Sequence, residues 1–410
     1  MPWLDWISLF LRWFHVIAGV AWIGASFYFI WLDNNLRTPP EWKQKEGIKG
    51  DLWAIHGGGF YEVAKYSYGP KTMPDTLHWF KWEAYTTWLS GFALLVLVYY
   101  FGASAYLIDP RVMDLTPMTA ITYGLAFIFG GLALYELACR SPLGKHPKSF
   151  AIVLGVFVVF ACWLATQLFS GRGAFIHVGA LIGTIMAGNV LLNIMPAQRK
   201  MVAAVTNKSD IDPAWGLGAK LRSVHNNYFT LPLLFIMISN HYPMTYQHEQ
   251  SWLVLVCFIG ISAFIRHYFN LKHIGISKPS ILVMGGVMLL LLALWISWPQ
   301  NTASSTEHTS ASDTSYLLAS QPLTKDDQVV YDIIQTHCVS CHAKQPTDPI
   351  FTIAPVGLIL DEWADIERYA AQIVHRTTVT KDMPLMNKTN MDDTQRQLIA
   401  QWYANRTTEK

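Results

Sequence analysis

The stretch QTHCVSCHAK, residues 335–344, sets Cys338, Cys341 and His342 in the spacing C-x-x-C-H. Two thiols two residues apart, followed at once by an imidazole, form the attachment signature of a c-type haem, with His342 as the proximal ligand of the iron. The iron needs a second axial ligand. For haems held this way it is commonly a methionine, whose sulfur raises the reduction potential. Three methionines follow: Met383 in KDMPLMN, then Met386 and Met391. Met383 precedes a proline, which stiffens the loop that presents the sulfur. Met383 is therefore the first candidate and Met386 the second. Taken alone, C-x-x-C-H also fits a chance match, a redox dithiol or a zinc pair.

The elements that must position this site sit in an apolar chain. It has 410 residues, 52% hydrophobic and only 14% charged. Soluble domains carry about 25% charged residues, so the deficit points to lipid as solvent for much of the chain. Seventeen Trp and eighteen Tyr suit belts at two membrane surfaces. The net charge of +2 gives no field that would draw in nucleic acid. Five cysteines, three of them in or beside apolar runs, do not make a disulfide framework.

A bilayer-spanning helix needs about 20 apolar residues. About eight such runs are legible, at 7–32, 83–102, 117–138, 150–169, 174–195, 227–242, 251–270 and 279–298. The sixth is short and interrupted by Pro232. The first starts almost at Met1, has no basic n-region and reads as an uncleaved helix with Arg12 inside it. The connections 33–82, 139–149, 196–226 and 271–278 carry the lysines and arginines. The alternate ones hold Arg111, Arg172 and, in 241–250, neither. Cytoplasmic loops carry the Lys/Arg excess. The N-terminus is then outside, and eight crossings put the C-terminal segment outside too. That is the periplasmic side of a bacterial inner membrane, where c-type haem is attached. Within 33–82, alternation on both sides of Gly57, Gly58 and Gly59 predicts a short hairpin on the cytoplasmic face.

The fold expected is all-α: a membrane domain over 1–298, a Ser/Thr/Ala-rich tether over 299–322 and a small haem domain over 323–410. In the last, Val330, Ile333 and Ile334 form one stripe, and Leu398, Ile399 and Trp402 another. From its first helix to its last this domain resembles a class I cytochrome c.

Ionisable residues within the membrane are functional candidates by default. His15 and His177 fall at similar depth near the outer face. One reading makes them the two ligands of a b-type haem held between helices; the other has them hydrogen-bond at headgroup depth. Arg222, His225, Asn226, Glu83 and His267, with Asn227 and Arg266, fall near the inner ends of their helices. A cavity there could hold a small polar substrate, with a His or Glu as proton acceptor; the plainer reading is a snorkelling rim.

The runs RWFHVIAGVAWIGASFYFIWLDNNLR, HGGGFYEVAKY, LHWFKWEAYTTWLSGFALL, FIHVGALIGTIMAGNVLLNIMP and RSVHNNYFTLPLLFIMISNHYP resemble the membrane-bound urate hydroxylases of bacteria. These join a multi-helix membrane domain to a C-terminal cytochrome c, and the resemblance covers nearly the whole chain. It implies oxidation of urate with water to 5-hydroxyisourate in purine catabolism. It also implies that electrons leave through the cytochrome to a further cytochrome or terminal oxidase rather than forming hydrogen peroxide. It supplies no set of urate-binding residues. Urate is a planar monoanion at neutral pH, suited to an arginine fork and aromatic walls. Bound at the cytoplasmic mouth, it would have to send electrons across a core of about 30 Å, which calls for a relay. Bound near the outer face, it needs none. Two other classes stay open on the sequence: an electron-transfer subunit of a respiratory complex, and a purine transporter with a redox sensor attached.

Overall fold

The computed structural model describes residues 2–109, 112–298, 323–348, 354–355 and 358–408. The tether expected at 299–322 lies outside the described residues. The chain is mostly helical. Its membrane-like part comprises α1 (Pro2–Asn35), a short α2 (Glu41–Lys45), the strands β1 (Ile48–His56) and β2 (Gly59–Tyr66), α3 (Trp82–Leu95), α4 (Pro117–Arg140), α5 (Pro147–Leu168), α6 (Gly171–Gly188), α7 (Met195–Thr206), α8 (Pro213–Ser239), a short α9 (Pro243–Tyr246), α10 (Ser251–His273) and α11 (Ser280–Ser297). The C-terminal part comprises α12 (Lys325–His337), α13 (Trp363–Arg368), α14 (Ala370–Val374) and α15 (Asp393–Thr408).

Each of the eight apolar runs is helical. Six of the resulting helices are long and apolar enough to cross a membrane. The stretches containing α3 and α8 are not among these six. α3 reaches its full length only through two π-wound turns, Val96–Tyr100 and Ala103–Leu107. α8 begins at Pro213, well before the run expected at 227–242, so its first half carries Lys220, Arg222, His225, Asn226 and Asn227. The signal for that start was present. Asp212 accepts from the Ala214 amide at 2.8 Å as N-cap, and Pro213 takes the first helical position. Pro232 does not end the helix.

α6 is the central element, packed on α3, α4, α5 and α8. In the span 171–206 that includes it, 72% of the apolar window is buried, against 11% for α1 and α11. Glycines set how closely its neighbours approach. A Cβ on Gly131 would meet Leu181 at 2.5 Å, and one on Gly179 would meet Ile236 at 2.7 Å. The outer helices instead present large apolar side chains outward, among them Trp6, Phe10, Trp13 and Ile17 on α1. A continuous apolar face of that kind suits lipid contact.

The expected hairpin is present. β1 and β2 pair antiparallel, and Gly57 and Gly58 make its two-residue turn with φ of +59° and +82°. Both central residues of such a turn need positive φ, which is why glycine stands there. Lys43 is buried beneath it, bonded to Asp51 at 2.6 Å and to Glu62. The hairpin shares its end of the bundle with the basic connection after α7, since Gly69 sits against Val205 and Ile211.

The C-terminal helices enclose a separate small core of Val330, Ile334, Ile366, Ile373, Ile399 and Trp402. Leu398, expected in that core, stays at the surface with 38% exposed. Adjacent positions on a helix point about 100° apart, and Ile399 takes the inward one. Thr324 and Asp327 form a reciprocal capping box at the start of α12. This domain seats on the end of the bundle opposite the hairpin. The Tyr106 ring meets the His375 ring at 5.3 Å and the Arg376 guanidinium at 5.1 Å. The connections it covers, at residues 106–109 and 112, 169–172 and 246–252, are the ones poor in lysine and arginine.

Candidate functional site

A cavity of about 840 Å³ lies at this seam. That is in the upper part of the roughly 300–1,000 Å³ range of ligand pockets. One wall is the C-terminal domain, with Cys338, Cys341, His342 and Met383. The other is the bundle, with Tyr106, Arg172, Tyr246 and Trp252. The C-x-x-C-H segment reaches the cavity because α12 ends at His337 and the chain turns tightly there, the His342 amide bonding back to Cys338 at 2.8 Å.

The donor set fits a covalently held haem. Nδ1 of His342 lies 3.0 Å from the Leu358 carbonyl oxygen and donates to it. That bond fixes the tautomer and leaves Nε2 for iron. Burial holds the imidazole below its usual pKa, against that hydrogen bond, so it is neutral at pH 7, the form that ligates a metal. Burial also pushes the Cys338 thiol up to about 12. That is the opposite of the depressed pKa of an attacking thiolate, so Cys338 is not the nucleophile of a redox pair. Met383 lines the cavity, as the distal ligand must. Met391 does not: it is buried in the small core, its amide bonded to Asn387. The side chain of Met386 lies outside the described residues. Nε2 of His337 is buried at the cavity without a hydrogen-bond partner among the described residues. An acceptor brought in by an occupant would satisfy it.

A second polar cluster is buried between α4, α6 and α8. Arg222 forms a two-pronged pair with Glu136, at 3.0 and 3.1 Å, and donates to Asn189 at 3.1 Å. Asn189 donates to Asn226 at 2.8 Å and to the Tyr135 hydroxyl at 3.0 Å. That hydroxyl lies 2.7 Å from Nδ1 of His225, whose ring stacks on Phe150. The structure thus brings Arg222, His225 and Asn226 together. Glu136, Tyr135 and Asn189 were missed as their partners. Glu136 could have been found, as a carboxylate inside the apolar run before Arg140. Asn189 opens the π-helical stretch Asn189–Ile194, and a sequence gives no sign of that winding. The fork of Arg222 is filled by Glu136, so it is not a free donor set for a substrate.

The other candidates lie apart from this network. His267 lies with Tyr228, at 2.7 Å, beside a cluster in which Arg266 bonds Asn227 and covers the Phe27 ring at 4.1 Å. Oε2 of Glu83 is buried near the start of α3 without a hydrogen-bond partner among the described residues. Among the described residues His15 and His177 share no hydrogen-bond partner. Nδ1 of His15 lies 3.0 Å from Ser90 Oγ, and Gly91 gives its ring room. His177 is fully buried, with Nδ1 on the Gly173 carbonyl at 2.8 Å and Nε2 3.3 Å from the Tyr100 hydroxyl. Both of its nitrogens are engaged within the protein.

No curated protein and no solved structure matches the chain. The family model described as Urate oxidase N-terminal matches residues 2–297. That region holds every helix of the bundle and the membrane-side wall of the cavity, and it is well over half of the sequence: the chain belongs to the urate oxidase N-terminal family.

Proposed function

We propose that this protein is a membrane-bound urate oxidoreductase that delivers electrons from urate to a covalent haem on its own C-terminal domain. The overall change is urate plus water to 5-hydroxyisourate, two protons and two electrons. Water supplies the new oxygen, the protons go to solvent, and the electrons pass to an external cytochrome or terminal oxidase. Hydrogen peroxide is not a product. The observation that carries this reading is the shared cavity. One wall holds the C-x-x-C-H side chains and Met383; the other is built by the region that matches the urate oxidase family.

Cys338 and Cys341 would hold the haem covalently, with His342 and Met383 as the residues that would ligate its iron. A haem bound there accepts one electron at a time. The chain's own residues do the rest: the bundle encloses the cavity, and the Leu358 carbonyl orients His342. With the cavity at the bundle's end, no electron has to cross the membrane core, and a second haem on His15 and His177 is not required. The C-terminal domain and the N-terminus lie in the periplasm, the hairpin in the cytoplasm, and all eight helical stretches span the inner membrane.

The test is anaerobic addition of urate to the purified full-length holoprotein. One urate should reduce two c-type haems, read in the visible absorption bands, and a pyridine haemochrome assay should give c-type haem alone. Absence of reduction with the haem intact would remove the urate reading in favour of an electron-transfer subunit.

A further inference from the structure

The bundle's buried or half-buried arginines differ in what neutralises them. Arg222 is matched by Glu136. Arg266 has Asn227 and the Phe27 ring at the other end of the molecule. Arg172 faces the seam cavity, and no carboxylate pairs with it among the described residues. Its Nε donates to Asn240 Oδ1 at 3.3 Å. Its guanidinium lies over two aromatic rings, Tyr106 at 5.4 Å and Tyr99 at 5.9 Å. Asn240 in turn accepts from the Tyr99 hydroxyl at 3.0 Å, so ring and guanidinium are held as a unit. The only other arginine on the cavity wall among the described residues, Arg376, is paired with Asp382. Asp109 and Glu249 also line the cavity, the latter exposed.

We propose that Arg172, set on Tyr106 and Tyr99 at the seam between the bundle and the C-terminal domain, is the residue that binds the purine anion beside the haem. This rests on the urate reading above and names the site for it. A guanidinium is a planar fork that suits two adjacent acceptors, such as the deprotonated ring nitrogen and a neighbouring carbonyl oxygen of a purine trione anion. The aromatic side chains at the same wall suit a flat heterocycle. Arg172 and both tyrosines also belong to the family-matched region, where recognition of the substrate has to be encoded.

Equilibrium dialysis of labelled urate against the dithionite-reduced full-length holoprotein separates binding from turnover, since a reduced haem takes no further electrons. Arg172→Gln should weaken binding at least tenfold, and Arg172→Lys should recover part of it. The haem spectrum and midpoint potential should stay at their wild-type values, which also shows that the variants are folded. Wild-type affinity in Arg172→Gln overturns the proposal and leaves the urate reading standing. A shifted potential with unchanged urate binding also overturns it, and assigns Arg172 to the haem's carboxylates. Loss of binding in Arg266→Gln but not in Arg172→Gln overturns it in favour of the opposite end of the bundle. Absence of binding to the wild-type protein ends both readings.

Discussion

Met383 and His342 reach the cavity from different loops, and each can be tested alone. Met383→His should lower the haem midpoint potential, because thioether ligation favours the reduced state and axial ligands tune haem potentials over roughly 0.8 V; redox titration reads it. Arg222 and Glu136 make a contrasting residue-scale case. Removing one partner of a buried pair leaves an uncompensated charge and costs about 3–5 kcal/mol. Arg222→Ala should therefore cost more stability than the Arg222→Ala/Glu136→Ala double variant, measured by thermal unfolding in detergent. Cys338, Cys341 and His342 were legible as a candidate set because C-x-x-C-H is contiguous, and the structure places all three on one cavity wall with Met383. The buried network was legible only in part. Arg222, His225 and Asn226 sit within one turn or so of each other on α8, whereas Glu136 and Asn189 come from helices far off in sequence.

At the scale of elements, α12 is the clearest case of a helix fixed by its ends. Thr324→Ala removes half of a capping box and should cost about 1 kcal/mol. Asp327 ties α12 to α15, accepting from Trp402 Nε1 at 2.7 Å and facing Arg406 at 3.3 Å. Burial alone would raise its pKa, but bonds from Thr324 and Trp402 and the charge of Arg406 outweigh it and hold the carboxyl below its usual value. A folded value below the unfolded one gives stability that is complete above about pH 4 and is lost as pH falls through the folded value. Asp327→Asn should flatten that acid dependence, seen as hydrogen exchange across 325–408 that no longer rises toward pH 3. Helix positions were readable from apolar length and the hairpin from its glycines. Apolar length did not reveal the early start of α8, because its first half is polar; only the Asp212–Pro213 cap marks it. Arg222, His225 and Asn226 in that half serve the interior network rather than water.

For the whole molecule, the arrangement of the two ends is the main result. The basic connections gather at the hairpin end and the C-terminal domain covers the other, although nothing in the fold of so small a domain requires that seat. Charge counting in sequence anticipated the two sides; it could not show that the domain rests on the bundle, because Tyr106, His375 and Arg376 become neighbours only in three dimensions. A membrane-impermeant thiol reagent applied to intact spheroplasts should label Val329→Cys, exposed on α12, and not Tyr68→Cys, exposed beside the hairpin. Labelling of both or the reverse pattern would contradict the proposed orientation.

The seam of Tyr106 with His375 and Arg376 has a kinetic meaning. On the proposed reading, the wall that binds urate and the domain that would hold the haem belong to one chain, so the first electron transfer from bound urate would be unimolecular. Covalent linkage of docked partners gives effective concentrations that can reach the millimolar range. Diluting the detergent-solubilised protein a hundredfold should leave the observed rate of haem reduction unchanged at saturating urate. Splitting the chain between the bundle and the C-terminal domain should turn the same step second order.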